Sequence, residues 1–361
     1  MSQLVKIPGM LDPHTHLRDL DWAYKATFAS ETAAAVAGGY WVVFDMPNTP
    51  PSTVSRAALD RKLDAIQQGA VCDWGVYFGA SQADNTAEYA QIVGAVCGLK
   101  MFCNATTGDL LIPDQPSREK HYASWPDANA KIIAVHAEAE TVLEILELVR
   151  KYRKRTHFLH ISTAQEIDYL RAAKEEGLPV TMGVCPHHLF LTENDLPVLG
   201  AFGWMKPGLK TAADRDALRD ALASGLVDVI ESDHAPHTIA EKNSDKPPYG
   251  VPGLETNLPL TLQLVNEGCI TLERAIDLLA TNPRRIWRLD CPPETYALVD
   301  LDAEYVIEAA HLHSQCGWTP FEGMPVRGKV VETWIRGEKV FDGEQILAAP
   351  GFGQNLFGEK S

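Results

Sequence analysis

The sequence predicts an α/β fold, a (β/α)₈ barrel of the TIM type with a small C-terminal β appendage. Eight short apolar runs typical of buried strands alternate with helix-like segments along the first 232 residues. Several of these runs end in polar or ionisable residues. With 361 residues, 45% of them hydrophobic, the chain is long enough for such a barrel and a further unit.

The elements follow one another in a regular order. After an opening strand, the predicted strands are residues 40–44, 74–78, 99–102, 131–137, 156–161, 179–184 and 227–232. The predicted helices are residues 24–39, 52–69, 85–96, 139–153, 163–176 and 211–224. This alternation indicates a parallel sheet. Two further helices are predicted at residues 258–267 and 271–279, with Asn282-Pro283 as a stop.

From Tyr305 the pattern changes to that of a small β unit. Residues 305–307 and 328–341 have strand character, and Arg336-Gly337-Glu338 predicts a turn. Because very little sequence precedes the first barrel strand, we expect this appendage to be incomplete. The predicted domains are a barrel over residues 1–300 and an appendage with a C-terminal tail over residues 301–361.

Composition excludes several classes of function. The formal net charge of −16 repels nucleic acid and anionic lipid, so an anionic substrate would need a locally positive pocket. Seven cysteines without a Cys-x-x-Cys pair indicate neither a disulfide framework nor a cysteine zinc site, which favours the reducing cytoplasm. The first residues lack the apolar core of a signal peptide, and no apolar run reaches the roughly 18 residues of a membrane span.

The stretch Asp12-Pro13-His14-Thr15-His16 carries the first chemical signal. Two histidines at positions i and i+2 of an extended segment point to the same side, so both rings can reach one ion. That arrangement suits a catalytic zinc with an open position. An isolated pair of this kind is weak evidence, because histidines at strand ends are often structural.

The barrel prediction strengthens this signal, because the C-terminal ends of its strands converge. The residues expected in one pocket are His14, His16, Lys100, His136, His160 and Asp233. Lys100 is an unusual ligand, since an ammonium group has no lone pair, and the alternative is a lysine that extends to solvent from a strand end. Carboxylation by CO₂ would instead make it an anionic ligand that bridges two metals.

Taken together, the motifs of this chain resemble those of the dihydroorotases of the amidohydrolase superfamily, most of all the dihydroorotase domain of the animal multifunctional pyrimidine-synthesis protein. The resemblance covers nearly the whole chain. The motifs are Asp12-Pro13-His14-Thr15-His16-Leu17-Arg18-Asp19, Met46-Pro47-Asn48-Thr49, Gly98-Leu99-Lys100, Val135-His136-Ala137-Glu138, Pro186-His187-His188-Leu189-Phe190, Ser232-Asp233-His234-Ala235-Pro236-His237 and Trp318-Thr319-Pro320-Phe321-Glu322-Gly323.

The resemblance implies a zinc-dependent cyclic amidohydrolase that interconverts N-carbamoyl-L-aspartate and L-dihydroorotate in pyrimidine biosynthesis. It implies two Zn²⁺ ions per chain and a metal-bound hydroxide as nucleophile. His14, His16 and Asp233 would hold one ion, His136 and His160 the other, and carboxylated Lys100 would bridge them. Asp233 would act as general acid and base.

The resemblance also implies a site for the substrate carboxylate. Arg18, Asn48 and His237 would bind that group, and Thr106 and Thr107 resemble part of a mobile lid, although an ordinary loop is the alternative. Lys206 stands where the family has an arginine; it keeps the charge but loses the paired geometry of a guanidinium.

Two further positions depart from the animal domain. Leu159 and Gly183 replace a cysteine and a glutamate beside its metal centre, so an extra metal there is not expected. His187 and His188 are expected to anchor a loop. Two alternatives stay open: another cyclic-amide hydrolase of the hydantoinase, dihydropyrimidinase or allantoinase type, and a silent homologue that serves as a scaffold for aspartate carbamoyltransferase. A homo-oligomer with a small-molecule substrate is expected.

Overall fold

The computed structural model describes residues 3–127 and 131–358. Its strands are β1 (Leu4–Pro8), β2 (Met10–Thr15), β3 (Tyr40–Asp45), β4 (Asp73–Gly79), β5 (Gly98–Phe102), β6 (Ile132–His136), β7 (Thr156–Phe158), β8 (Val180–Val184), β9 (Val229–Ile230), β10 (Tyr296–Val306), β11 (Pro325–Ile335) and β12 (Glu338–Phe341). Its α-helices are α1 (Phe28–Ala37), α2 (Arg56–Gly69), α3 (Tyr89–Ile92), α4 (Gln115–Ser124), α5 (Glu140–Tyr152), α6 (Ala164–Glu175), α7 (Pro186–Phe190), α8 (Leu196–Leu199), α9 (Ala212–Ala223), α10 (Ile239–Lys242), α11 (Leu254–Asn266), α12 (Leu272–Ile276) and α13 (Asn282–Trp287).

The predicted barrel is confirmed. Strands β2 to β9 form an eight-stranded sheet in which each strand pairs in parallel with the next one along the chain. The sheet nearly closes, because a parallel bridge joins Thr15 to His234 and the backbone N–H of His16 donates to the carbonyl of His234 at 2.7 Å. Strands β3 and β4 are buried along their whole length, as expected where helices cover a parallel sheet.

Capping boxes define the starts of several covering helices. The Thr163 side chain accepts a hydrogen bond from the backbone of Glu166, whose carboxylate accepts from the backbone of Thr163. Thr211 and Asp214 form the same arrangement. These pairs satisfy amide groups that the first helical turn leaves free. The helices therefore begin within one residue of the predicted positions 163 and 211.

Two barrel strands end earlier than predicted. Strand β7 stops at Phe158 rather than residue 161, and β9 stops at Ile230 rather than residue 232. The chain leaves the sheet here because His160 and Asp233 have positive φ angles of 38° and 46°. Such angles cost on the order of 1 to 3 kcal/mol in residues other than glycine, and they cluster at functional sites. Both turns lie at the end of the barrel where the predicted metal ligands gather.

The prediction of a helix stop at Asn282-Pro283 is wrong. Helix α12 continues through a π-helical turn, Asp277–Thr281, into α13, which begins at Asn282. Pro283 lies in the first turn of α13. A proline there is compatible with a helix, because the amide groups of the first turn have no partner within the helix.

The small sheet is antiparallel, with strand order β1-β10-β11-β12. The few residues before the barrel do contribute to it, since β1 pairs with β10 from Leu4 to Pro8. The predicted turn at Arg336-Gly337 joins β11 to β12, with φ angles of 53° and 79° that match the twist of a tight hairpin. The division at residue 300 stays a prediction; β10 runs across it.

A second apolar cluster holds the loops above the barrel. Met205, Val251 and Trp318 are buried in this cluster, which lies apart from the main core. It fixes the segments that follow β8 and β9, where barrel enzymes build their sites. All seven cysteines are free. Every helix within the described ranges is too short or too polar to cross a membrane.

Candidate metal centre

The strand ends bring the six predicted metal-site residues to one end of the barrel. All of them are buried, and five contribute to the wall of a single cavity, whereas Lys100 is not part of that wall. The five are His14, His16, His136, His160 and Asp233. This convergence of residues spread over more than 200 positions follows from the barrel topology.

The first half of the centre is formed by His14, His16 and Asp233. Their potential ligand atoms lie within 4.8 Å of one another. Nε2 of His14 and Nε2 of His16 lie 3.0 and 3.3 Å from the same carboxylate oxygen of Asp233. Two imidazoles and a carboxylate that face a common point match the donors that zinc prefers.

The second half contains His136 and His160, whose ring centroids are 4.5 Å apart. The ring of His160 also lies 5.1 Å from that of His14, so the two halves are adjacent. Nδ1 of His160 is buried and has no hydrogen-bond partner in the described part of the chain. A buried imidazole nitrogen without a partner is a donor atom available to a metal ion.

Lys100 is fully buried, and its Nζ has no hydrogen-bond partner among residues 3–127 and 131–358. Burial lowers its pKa to about 7, because a desolvated ammonium is costly. Much of the amine is therefore neutral near neutral pH and can react with CO₂. The orphaned amine fits the carboxylated lysine that the sequence predicts.

Burial also keeps the histidines of the centre neutral. Desolvation lowers the pKa of His14, His16, His136 and His160, in each case as the largest effect. A neutral imidazole is the form that binds metals. Desolvation also raises the pKa of Asp233, which suits a group that exchanges protons.

A buried glutamate to which the sequence analysis assigned no role lies beside these ligands. Glu231 has no solvent exposure and contacts His14, His157 and the backbone of His160. Although burial opposes ionisation, the neighbouring side chains of His14 and His157 lower its pKa to about 2. The sequence does contain a signal for Glu231, because this ionisable residue directly follows the apolar pair Val229-Ile230.

Five of the six predicted substrate-binding residues line the same cavity. They are Arg18, Asn48, Thr106, Thr107 and Lys206. The Arg18 guanidinium is buried, and its Nε donates to the carbonyl of Pro236 at 3.0 Å. Its Nη1 has no hydrogen-bond partner within the described residues. Burial lowers its pKa only to about 10, so it stays charged and provides an anion-binding group.

His237 is the predicted substrate residue that the structure does not bring to the cavity wall. It is buried behind Arg18, and its Nε2 lies 3.1 Å from Nη2 of that residue and 3.0 Å from the carbonyl of Tyr249. Its Nδ1 lies 3.1 Å from Nζ of Lys25. These contacts fit a residue that supports Arg18, and direct substrate binding by His237 stays a prediction.

Asn48 contacts both a candidate metal ligand and the loop that contains Thr107. Its Oδ1 lies 2.7 Å from Nδ1 of His16, and its Nδ2 donates to the carbonyl of Thr107 at 3.0 Å. Thr107 also donates through its hydroxyl to the carbonyl of Tyr249. Lys206 lies over the ring of Tyr249 at 5.3 Å. Thr107, Tyr249 and Lys206 all line the cavity, so these contacts join the loop that contains Thr107 to another part of the cavity wall.

Cys185, His187 and His188 form a second group of potential ligands. None of the three lines the cavity. Nε2 of His188 donates to the carbonyl of Pro207 at 3.0 Å, which holds the loop that contains Lys206. This contact agrees with the expected loop-anchoring role.

No family model matches the chain. The chain is 40% identical over 355 residues to the multifunctional protein CAD of Squalus acanthias, covering 98% of this chain but only 16% of that protein. It is 34% identical over 371 residues to the dihydroorotase of Pyrococcus furiosus, covering 96% of this chain and 84% of that enzyme.

Solved structures share the architecture. An L-hydantoinase (dihydropyrimidinase) from Arthrobacter aurescens superposes with a TM-score of 0.91 at 25% identity, covering 98% of this chain and 88% of that one. The inactive dihydroorotase-like domain of a CAD-like multifunctional protein from Chaetomium thermophilum superposes with a TM-score of 0.82 at 23% identity, covering 98% and 99%, and shows the fold alone. With 34% identity across most of a dihydroorotase, this chain belongs to the dihydroorotase family of the amidohydrolase superfamily, a family of cyclic amidohydrolases.

Proposed function

We propose that this chain catalyses the reversible ring closure of N-carbamoyl-L-aspartate to L-dihydroorotate. The observation that carries the proposal is the buried guanidinium of Arg18, which lies in the same cavity as the candidate metal ligands and whose Nη1 has no hydrogen-bond partner among the described residues. A cation beside a hydrolytic centre selects a cyclic amide that carries an anionic group. Dihydroorotate is such a compound, and relatives named dihydroorotase support this choice.

The proposed cofactor is a pair of Zn²⁺ ions. His14, His16 and Asp233 would hold one ion, His136 and His160 the other, and carboxylated Lys100 would join them. The mutual proximity of the first three, together with the orphaned nitrogens of Lys100 and His160, supports this assignment. Bound zinc would polarise the amide carbonyl and lower the pKa of water.

Asp233 is the proposed acid and base. Its carboxylate faces both His14 and His16 at the cavity wall, within reach of a molecule bound there. In hydrolysis it would take a proton from the attacking water and return it to the ring nitrogen as the carbon–nitrogen bond breaks. In ring closure the steps run in reverse, and one water is released.

The remaining cavity residues would orient the substrate. Arg18 and Asn48 would bind its carboxylate, with His237 behind Arg18. Lys206 would supply a second positive charge in a chain whose net charge is −16. Thr106 and Thr107 would close over the bound molecule, because their loop already contacts Asn48 and Tyr249. A locally positive cavity of this kind overcomes the repulsion between an acidic protein and an anionic substrate.

Two alternatives are weaker. The substrate of a hydantoinase or dihydropyrimidinase lacks the carboxylate. The buried charge of Arg18 would then have no anionic partner on the substrate, which is costly. A silent homologue that serves as a scaffold has no need of metal ligands. This chain has all six of the ligand residues implied by the resemblance, and they are clustered.

The multifunctional relatives motivate a proposal about partners. Because the chain matches one segment of CAD, we propose that it works beside aspartate carbamoyltransferase, whose product is its substrate in the direction of ring closure. We also propose that the protein forms a homo-oligomer. Its proposed location is the reducing cytoplasm, which the seven free cysteines support.

A turnover assay with L-dihydroorotate and N-carbamoyl-L-aspartate, with metal analysis on the same sample, tests the function. We expect turnover in both directions and about two zinc ions per chain. Dihydrouracil, hydantoin and allantoin are the comparison substrates. Equal turnover of these uncharged rings would replace the proposal with a broader cyclic amidase. Bound zinc with no turnover of any ring would favour the scaffold.

A further inference from the structure

We propose that Glu231 is a positioning residue of the metal centre: its buried carboxylate orients the ring of His14 and holds the backbone of His160. The inference rests on the proposed metal site and adds to it a residue outside the six ligands. Glu231 follows strand β9 directly and lies two positions before Asp233. Its side chain has no exposure to solvent, so its contacts are with protein groups.

The two carboxylate oxygens have separate partners. Oε1 accepts a hydrogen bond from the backbone N–H of His160 at 2.6 Å and lies 3.5 Å from Nδ1 of His14. Oε2 lies 3.2 Å from Nε2 of His157, whose Nδ1 is 2.8 Å from the hydroxyl of Thr181. One carboxylate, which follows β9, thus contacts His14 of β2, His157 of β7 and His160 just after β7.

The contact with His14 decides which nitrogen of that ring is free to bind a metal. Nε2 of His14 faces Asp233, on the side of the cavity. Nδ1 faces Glu231 and has no hydrogen-bond partner among the residues that the structure describes. When Nε2 binds a cation, Nδ1 must carry the proton, and Glu231 is the acceptor on that side. A carboxylate in this position fixes the ring and raises its basicity as a ligand.

The contact with His160 acts on the backbone. His160 has a φ angle of 38°, which is unusual for a side chain of this size. Such a conformation persists only where neighbouring groups hold it. The 2.6 Å hydrogen bond from its N–H to Glu231 is a charged contact of that kind. The same carboxylate therefore constrains one ligand from each half of the centre.

Gly183 provides the space for this carboxylate. A Cβ at this position would lie 2.5 Å from the carboxyl carbon of Glu231 and 2.6 and 2.8 Å from its oxygens. Those distances are shorter than real Cβ contacts, so a side chain at position 183 would require the carboxylate of Glu231 to move. Glycine on β8 and glutamate after β9 therefore form a matched pair.

The first test is the substitution Glu231→Gln, which keeps the shape and the acceptor for His160 but removes the charge. We expect the metal-free variant to remain folded and its affinity for Zn²⁺, measured by competition with a chelator, to fall roughly 10-fold to 100-fold. Glu255→Gln is the matched control. Glu255 is a buried carboxylate 2.8 Å from Nδ1 of His313, outside the cavity, and its loss should leave zinc affinity unchanged.

A second test moves the carboxylate. Gly183→Glu alone should destabilise the protein, because Glu231 occupies the space. Glu231→Ala alone should weaken zinc binding. The double variant, with both substitutions, should regain affinity relative to Glu231→Ala. A double variant that folds like the wild type and binds zinc no better than Glu231→Ala would show that a carboxylate there does not matter.

A third test uses the wild-type protein, so it does not require any variant to fold. In zinc-loaded protein with ¹⁵N-labelled histidine, the Nδ1 proton of His14 should give a downfield resonance that exchanges slowly with water. Its absence would overturn the inference. Zinc binding that is equal in the wild type and in Glu231→Gln would do the same while the metal site stands. A wild-type protein that binds no zinc would instead refute the metal site itself, and this inference with it.

Discussion

Nδ1 of His16 and Oδ1 of Asn48 lie 2.7 Å apart, which joins a proposed metal ligand to a proposed substrate residue. Since the amide oxygen accepts, Nδ1 carries the proton and Nε2 is left free toward Asp233. The amide nitrogen of Asn48 donates to Thr107, so the same side chain also contacts the loop over the cavity. Metal binding and substrate binding should therefore depend on one another through Asn48.

Asn48→Ala tests this coupling. Removal of the acceptor for His16 should lower zinc affinity roughly 10-fold to 100-fold, the range for second contacts of metal ligands. The KM for dihydroorotate should rise in the same variant. Zinc competition and steady-state kinetics measure the two effects, with Asn266→Ala on the surface as the control. A higher KM with unchanged zinc affinity would limit Asn48 to the substrate.

Lys100→Met tests the bridging ligand. Methionine keeps a flexible stem of similar length but cannot be carboxylated, so we expect loss of bound zinc and of most activity. Intact-protein mass spectrometry of the wild type under native conditions should show an adduct of about 44 Da, as expected for one CO₂ in a two-metal site. Full metal content and full activity in the variant would remove Lys100 from the site.

The same variant gives a pH prediction for metal-free protein without CO₂. Burial lowers the pKa of Lys100 to about 7, below its ordinary 10.5, so the folded state binds fewer protons than the unfolded state between these values. The contribution of Lys100 to the free energy of unfolding should therefore rise with pH in this window, by about 1.4 kcal/mol per pH unit. Denaturant unfolding of wild type and Lys100→Met across pH 7 to about 10 measures the difference. A constant difference would mean that the amine stays protonated.

Asp233→Asn tests proton transfer. The amide cannot take the proton of water, so kcat should fall roughly 10²-fold to 10⁴-fold, the range for a positioned acid or base. Zinc affinity should also weaken, because a charged ligand is lost. Single-turnover rates at saturating zinc separate the two effects. A rate near that of the wild type would mean that the proton travels by another route.

Arg18→Ala tests substrate selection. Charged hydrogen bonds to the substrate carboxylate contribute on the order of 1.5 to 3 kcal/mol each, so the wild type should prefer dihydroorotate to dihydrouracil by roughly 10⁴-fold. The variant should lose most of this preference, mainly through its turnover of dihydroorotate. The ratio of kcat/KM for the two rings is the measurement. A ratio that the substitution leaves unchanged would assign the carboxylate to other residues.

Much of the candidate site could be predicted because the residue types of the ligands and the succession of strands are both visible along the sequence. The spacing of His14 and His16 predicts that both rings face one side, and both face Asp233. The helix stop at Pro283 failed because local signals do not distinguish the end of one helix from the first turn of the next. His237 was expected at the substrate, but the contacts that hold it behind Arg18 come from Lys25 and Tyr249.

The sequence by itself determined the barrel, its eight strands and the kind of chemistry at their ends, because periodicity and side-chain type act along the chain. Only the tertiary structure decided which buried side chains contact one another. Gly183 and Glu231 are 48 positions apart in the chain, yet a Cβ added at Gly183 would lie 2.5 Å from the carboxyl carbon of Glu231. Likewise, packing leaves Lys100 Nζ without a hydrogen-bond partner in the part of the chain that the structure describes. Distances of this kind are set when neighbouring strands pair in register, and no local pattern in the sequence predicts them.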